Sequence, residues 1–200
     1  ATDGERVSAP LVFGEPGKIA PLEGRGFVHG VTDCYSLIRD WYLETRGVDL
    51  PDFARDWEWW LPEVVGPDGG HVTRATHGPN GLRFEVDGED YLAPFSGVFP
   101  VEHEGFEIRS NNDLYAEGYQ KAGFRALEDG ENKEEGDVVL FQLPRMPAAC
   151  HAGIYLGDGR ILHHLTANKA VDPSRVSVAE PLIRWGAYIV SWLRYSPVSL

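Results

Sequence analysis

Residues 29–42 read HGVTDCYSLIRDWY and set one of the chain's two cysteines between an aspartate and an amphipathic run. Cys34, Leu37, Ile38, Trp41 and Thr45 recur at the spacing of one helical face, and Thr32 or Asp33 is suited to cap the first turn. Gly47 is a natural stop. The stretch therefore predicts a helix that begins on a thiol. Cys34 is then either an apolar member of the helix's buried face or a nucleophile. A thiol attacks a carbonyl carbon only as thiolate, against an ordinary pKa of about 8.5. The unpaired N–H groups and positive dipole end of a helix start favour that anion, and can later bind the oxyanion of a tetrahedral intermediate.

Such a nucleophile needs a base and a group that orients the base. Among seven histidines, His151 opens HAGIYL (151–156), while His163 and His164 follow Ile161 and Leu162 across a GDG connection. Any one of these histidines taken alone reads as a hydrogen-bonded structural residue; together with Cys34 they read as a Cys–His–His triad. Successive strand residues point to opposite faces. A two-residue Asp158–Gly159 turn puts His164 on the face of His151, whereas a three-residue loop puts His163 there, and the pattern alone leaves both open. Cys150 precedes His151 and by the same parity points away from it. A Cys34–Cys150 disulfide is not expected, and Cys150 reads as a buried or partly buried free thiol.

The remainder of the chain supports one globular α+β unit of 200 residues, with 42% hydrophobic and 24% charged residues. Residues 1–25 carry Pro and Gly at short intervals and read as an extended lead-in. PDFARDWEWWLP (51–62) is expected to form a short helix, its tryptophans packing on the first. LRFEV, DGED and YLAPF (82–95) read as a hairpin turning at Asp87 and Gly88. Residues 111–124 return to helical spacing, ending near Gly123. DVVLFQL (137–143), the two histidine segments and AYIVSWLRY (187–195) read as strands. The expected fold is a cysteine-bearing helix packed on an antiparallel sheet, with a β-rich stretch over 62–110.

A net charge of −13 argues against nucleic acid as a partner. No apolar run approaches the roughly 20 residues that span a bilayer, and ATDGERVSAP lacks the basic-then-apolar pattern of a secretory signal. The expectation is a soluble protein made in a cytoplasm. His71, His77 and His103 lack the compact spacing of a zinc site, so neither metal nor other cofactor is expected.

The combination of TDCYSLIRDWY (32–42), EEGDVVLFQL (134–143) and HAGIYLGDGRILHH (151–164), in that order, resembles the NlpC/P60 cysteine peptidases, and most closely their phage-tail branch. The resemblance implies a circularly permuted papain-like fold, with Cys34 as nucleophile and His151 as general base. His163 falls on the third residue, because the family separates base and third residue by twelve positions; His164 is kept as the alternative. His29, Asp33, Tyr35, Ser36 and His164 are expected at the substrate. Two departures stand out: the common DCSG is DCYS here, and the gap between Cys34 and His151 is long, its surplus falling in 62–110 as an insertion. The implied activity is cleavage of an amide bond in peptidoglycan stem peptides at the tip of a phage tail. Other tail-tip or hub proteins are the expected partners. Two alternatives are a structural tail-tip component that keeps the core as scaffold, and a protease that trims another tail protein.

Overall fold

The structure is a computed structural model that describes residues 21–53, 63–67, 69, 72–78, 80–86, 88–94, 105–109, 115, 118–144, 146, 148–165 and 176–197. The first helix, α1 (Cys34–Arg46), begins where the sequence indicates. Asp33 is its N-cap: Oδ1 accepts from the Ser36 N–H at 2.8 Å and the Ser36 hydroxyl at 2.9 Å, and Oδ2 accepts from the Gly30 N–H at 2.8 Å. These bonds satisfy donors that a helix start leaves orphaned. Gly47 ends the helix at φ 65°, its N–H donating to the Leu43 carbonyl while Val48 N–H reaches back to Tyr42. Leu37, Ile38, Trp41 and Tyr42 form the buried stripe; Tyr35 joins it, while Thr45, expected on this face, is exposed.

That stripe packs on a six-stranded antiparallel sheet. Its strands are β7 (Phe124–Ala126), β8 (Val138–Phe141), β9 (His151–Tyr155), β10 (Arg160–His163), β11 (Val178–Pro181) and β12 (Ile189–Tyr195), in the order β11-β10-β9-β8-β12-β7. Val138, Leu140, Ala152, Ile154 and Leu162 join the helix core. Val139, Phe141 and Ile161 point to the other face, where a 3-10 helix (Leu182–Tyr188) covers them with Leu182, Trp185 and Tyr188. Strand β8 is therefore covered on both faces, and it is apolar without interruption rather than alternating. Full burial of each Leu or Ile here stabilises the fold by roughly 1.5–3 kcal/mol.

Between helix and sheet, the chain forms two smaller antiparallel sheets. One orders β2 (Val72–Arg74), β1 (Glu63–Val65) and β6 (Glu107–Arg109); the other orders β3 (Thr76–Gly78), β4 (Gly81–Val86) and β5 (Glu89–Pro94). Val64, Ala75, Leu82, Phe84, Val86 and Ala93 make a core of their own. The expected hairpin is there, with Val86 opposite Glu89 and Gly88 at φ 82°. Residues 51–53 are not helical, and the rest of the helix expected over 51–62 lies outside the described residues, as do residues 1–20 of the lead-in. In the 111–124 segment Tyr115 and Gly118 are helical, and the turn ends at Gly123, φ 85°. The last strand starts at Ile189, because residues 187 and 188 belong to the 3-10 helix.

Candidate active site

Cys34 is the first residue of α1 and is half-buried. The turn before it is held by Thr32, whose hydroxyl donates to the Gly26 carbonyl at 2.7 Å and accepts from the Val28 N–H at 3.0 Å. The thiol thus sits at the N-terminal end of the helix, where the dipole favours negative charge. Its Sγ lies 3.2 Å from the hydroxyl of Tyr115. Burial, and then the charge of Cys34 and the bond to it, push the Tyr115 phenol well above its ordinary pKa. Tyr115 stays protonated, and a thiolate sulfur can only accept, so in that state its O–H donates to Cys34.

Helix α1 packs on β9, and Cys34 lies near enough to Cys150, the residue before His151, for its charge to act there. Burial is the main reason that the Cys150 thiol is pushed up to about 11. Both cysteines are free thiols.

The β9–β10 register shows which histidine shares the face of His151. Ile161 pairs with Tyr155, Leu162 with Ile154 and His163 with Gly153. The Leu156 N–H donates to the Arg160 carbonyl at 2.9 Å, so the loop is the three residues 157–159, with Gly157 and Gly159 at φ 84° and 81°. Gly suits both positions, since positive φ is costly for side-chain-bearing residues. His163 therefore shares a face with Gly153 and His151, and His151 Nε2 lies 2.9 Å from His163 Nδ1. A Cβ on Gly153 would stand 3.1 Å from His163 Cβ, so the missing side chain is what lets the rings approach. Phe141 stacks on His151 with centroids 5.5 Å apart, and the Trp185 ring meets His163 edge-on at 4.8 Å.

The chain of contacts continues beyond the histidines. His163 Nε2 lies 2.6 Å from Glu180 Oε1, which also accepts from Trp185 Nε1 at 3.1 Å; Arg184 Nη1 donates to Oε2 at 3.2 Å. Burial alone would raise the Glu180 carboxyl, but the bond from and charge of His163, with the Arg184 and Trp185 donors, hold it below its ordinary value.

Of the five residues expected at the substrate, His29 is half-buried in the turn before the helix. The other four are buried. Asp33 and Ser36 bond each other in the cap, and the Tyr35 hydroxyl donates to the Pro51 carbonyl at 2.6 Å. His164 faces away from His151, with the Phe27 ring edge-on at 5.2 Å. Burial lowers its pKa against the opposing pull of the Thr32 backbone. His71 and His103 lie outside the described residues, and among those described no three His, Cys, Asp or Glu gather as a metal site. Tyr115 and Glu180 are the contributors that sequence reasoning missed. Tyr115 falls in the 111–124 stretch, whose helical spacing says nothing of a site, and no motif marks Glu180.

The NlpC/P60 family model matches residues 24–183, which include Cys34, both bonded histidines, Glu180 and the start of the 3-10 helix. Tail tip assembly protein K of Escherichia phage lambda is 29% identical over 144 residues, 72% of this chain and 47% of that protein. Tail tip assembly protein K of Escherichia phage N15 is 27% identical over 145 residues, 72% of this chain and 40% of that protein. The chain thus spans less than half the length of these curated relatives. No solved structure matches it significantly. With its family match running from the turn before the thiol to the helix that covers the histidines, the chain belongs to the NlpC/P60 family.

Proposed function

We propose that this protein is a cysteine endopeptidase that cleaves an amide bond in peptidoglycan stem peptides, acting at the tip of a phage tail. One observation carries the reading: His151, at the start of the strand against which the Cys34 helix packs, is buried with His163, which in turn contacts the half-buried Glu180. Family membership and relatives named for tail tip assembly support the chemistry and the setting, respectively. In this mechanism His151 takes the thiol proton and Cys34 attacks the amide carbonyl. The Cys34 backbone N–H stabilises the oxyanion, and His151 then protonates the leaving amine. Water, deprotonated by His151, releases the acyl group. His163 holds the ring of His151, and Tyr115 donates to the sulfur while it is charged. His29 stands at the rim.

The core is proposed to be a permuted papain-like fold within a single domain over 1–200. Residues 1–25 are its lead-in and 62–110 its insertion, a reading that the separate small core of that stretch supports. The protein is proposed to be made in the host cytoplasm and to meet other tail proteins at the tail tip. Wild type should release soluble fragments from purified sacculi, and Cys34→Ala and His151→Ala should not. Release by Cys34→Ala at the wild-type rate removes the nucleophile.

The word "assembly" in the relatives' names favours a second reading, in which the domain serves chiefly as a part of the tail tip or trims a tail protein. A phage carrying Cys34→Ala separates these: normal tails from that phage exclude a proteolytic assembly step, and normal infection by them favours the scaffold.

A further inference from the structure

We propose that Glu180 is a positioning residue that sets the proton positions of the whole relay, and so makes Nδ1 the basic nitrogen of His151. The inference rests on the peptidase reading for its purpose, though not for its geometry. It starts from the sheet. Glu180 pairs with Ile161 on β11, which puts it on the same face as His163 and diagonal to it across β10. The 3-10 helix then folds over that face and brings Trp185 and Arg184 to the same carboxylate.

The proton inventory follows from donor and acceptor types. The indole N–H of Trp185 can only donate and the Arg184 guanidinium can only donate, so both Glu180 oxygens serve as acceptors. His163 Nε2, 2.6 Å from Oε1, must then carry its hydrogen. In a neutral imidazole this leaves Nδ1 as the acceptor. His163 Nδ1 lies 2.9 Å from His151 Nε2, so His151 must in turn carry its hydrogen on Nε2. The lone pair of His151 is thereby left on Nδ1. Without Glu180, His163 is free to take the other tautomer, donate from Nδ1 and leave His151 with its proton on the wrong nitrogen.

The second consequence concerns charge. When the Cys34 proton moves to His151 Nδ1, no other proton moves: Nε2–H stays on each ring, and the positive charge rests on His151. The Glu180 carboxylate, one ring away, stabilises that imidazolium and with it the thiolate. The charged and titratable groups bonded to the Glu180–His163 pair include Arg184 from the 3-10 helix and His151 from β9.

Two measurements test this without using peptidoglycan. In wild type, 15N-edited spectra of the histidine rings at a pH where both are neutral should show the Nε2–H tautomer for His163 and His151. Nδ1–H on either ring overturns the proposal. Glu180→Gln keeps an oxygen for the indole and the imidazole but removes the charge. Its Cys34 should react with iodoacetamide about tenfold more slowly than wild type near pH 6, which corresponds to one pKa unit in the thiolate–imidazolium balance. Superimposable rate–pH profiles for a folded Glu180→Gln overturn the role of the charge. If wild-type Cys34 itself reacts as an ordinary thiol, the peptidase reading fails, and the ring spectra still decide the tautomers.

Discussion

Replacing Gly153 by Ala tests whether the histidine pair depends on the close approach of β9 and β10. Gly153 lies directly opposite His163 in the register, and an added Cβ would stand 3.1 Å from His163 Cβ, 3.2 Å from the Leu162 carbonyl oxygen and 3.6 Å from Phe141 Cε2. Carbon atoms pack best at about 3.5–4.0 Å, so the His163 contact is short by roughly 0.4 Å or more. The Leu162 carbonyl is backbone within β10, and Phe141 is wholly buried beneath His151, so neither yields freely. His163 Cβ is fixed by its own backbone, so side-chain rotation cannot relieve the contact: β10 must shift from β9, which disturbs the 2.9 Å contact with His151. Overpacking of this kind costs about 1–3 kcal/mol. Displacement of a base by the order of 1 Å costs about 100-fold in rate. Urea denaturation at constant m reads the first number, and fragment release from sacculi reads the second. A Gly153→Ala protein with wild-type stability and rate would show that the two strands have slack, and the account of how the rings meet would be wrong.

Asp33→Ala removes the acceptor for Ser36 N–H, the Ser36 hydroxyl and Gly30 N–H together, so it should cost about 2 kcal/mol, the upper end for a lost N-cap, by chemical denaturation. Asp33→Asn should recover most of that. Tyr115→Phe removes the donor at 3.2 Å from Cys34, so the pH at which the thiol becomes reactive to iodoacetamide should rise; an unchanged profile would mean that the hydroxyl does not reach the thiolate. His164 has a folded-state pKa below its unfolded value because of burial, so the unfolded chain binds the extra proton. Its neutral form therefore favours folding above the unfolded pKa of about 6.5, and that contribution falls as pH drops from there to the folded value, by at most about 1.4 kcal/mol per pH unit. His164→Leu should flatten stability over that window, as followed by thermal melts between pH 7 and 5.

What the sequence discloses, and what it withholds, follows from the range of each interaction. Helix α1 is legible because its cap, its stop and its apolar spacing are all local, and the hairpin of β4 and β5 because Gly88 marks its turn. Thr45 fits the helical spacing but lies at the end that the core does not cover. The choice between His163 and His164 turns on one residue in a loop, and parity alone cannot make it; the family's twelve-residue spacing chose the pairing that the β9–β10 register has. Strand β8 is covered on both faces, so its apolar run carries no alternation to say which side holds the helix. Glu180 and Trp185 reach the histidines only through an edge strand and a 3-10 helix that no local pattern announced. Tyr115 reaches Cys34 through a contact between residues 81 apart. Asp33, Tyr35 and Ser36 adjoin Cys34 in sequence, and the structure buries them in the cap and core of its helix, while His164 is buried beside Phe27.

The most direct test is digestion of purified sacculi by wild type and Cys34→Ala side by side, with mass spectrometry of the soluble products. The wild-type digest should give fragments whose new amino and carboxyl termini fall within the stem peptide, and the variant should give none. Equal release by Cys34→Ala, or wild-type fragments with new ends only in the glycan, would contradict the peptidase reading.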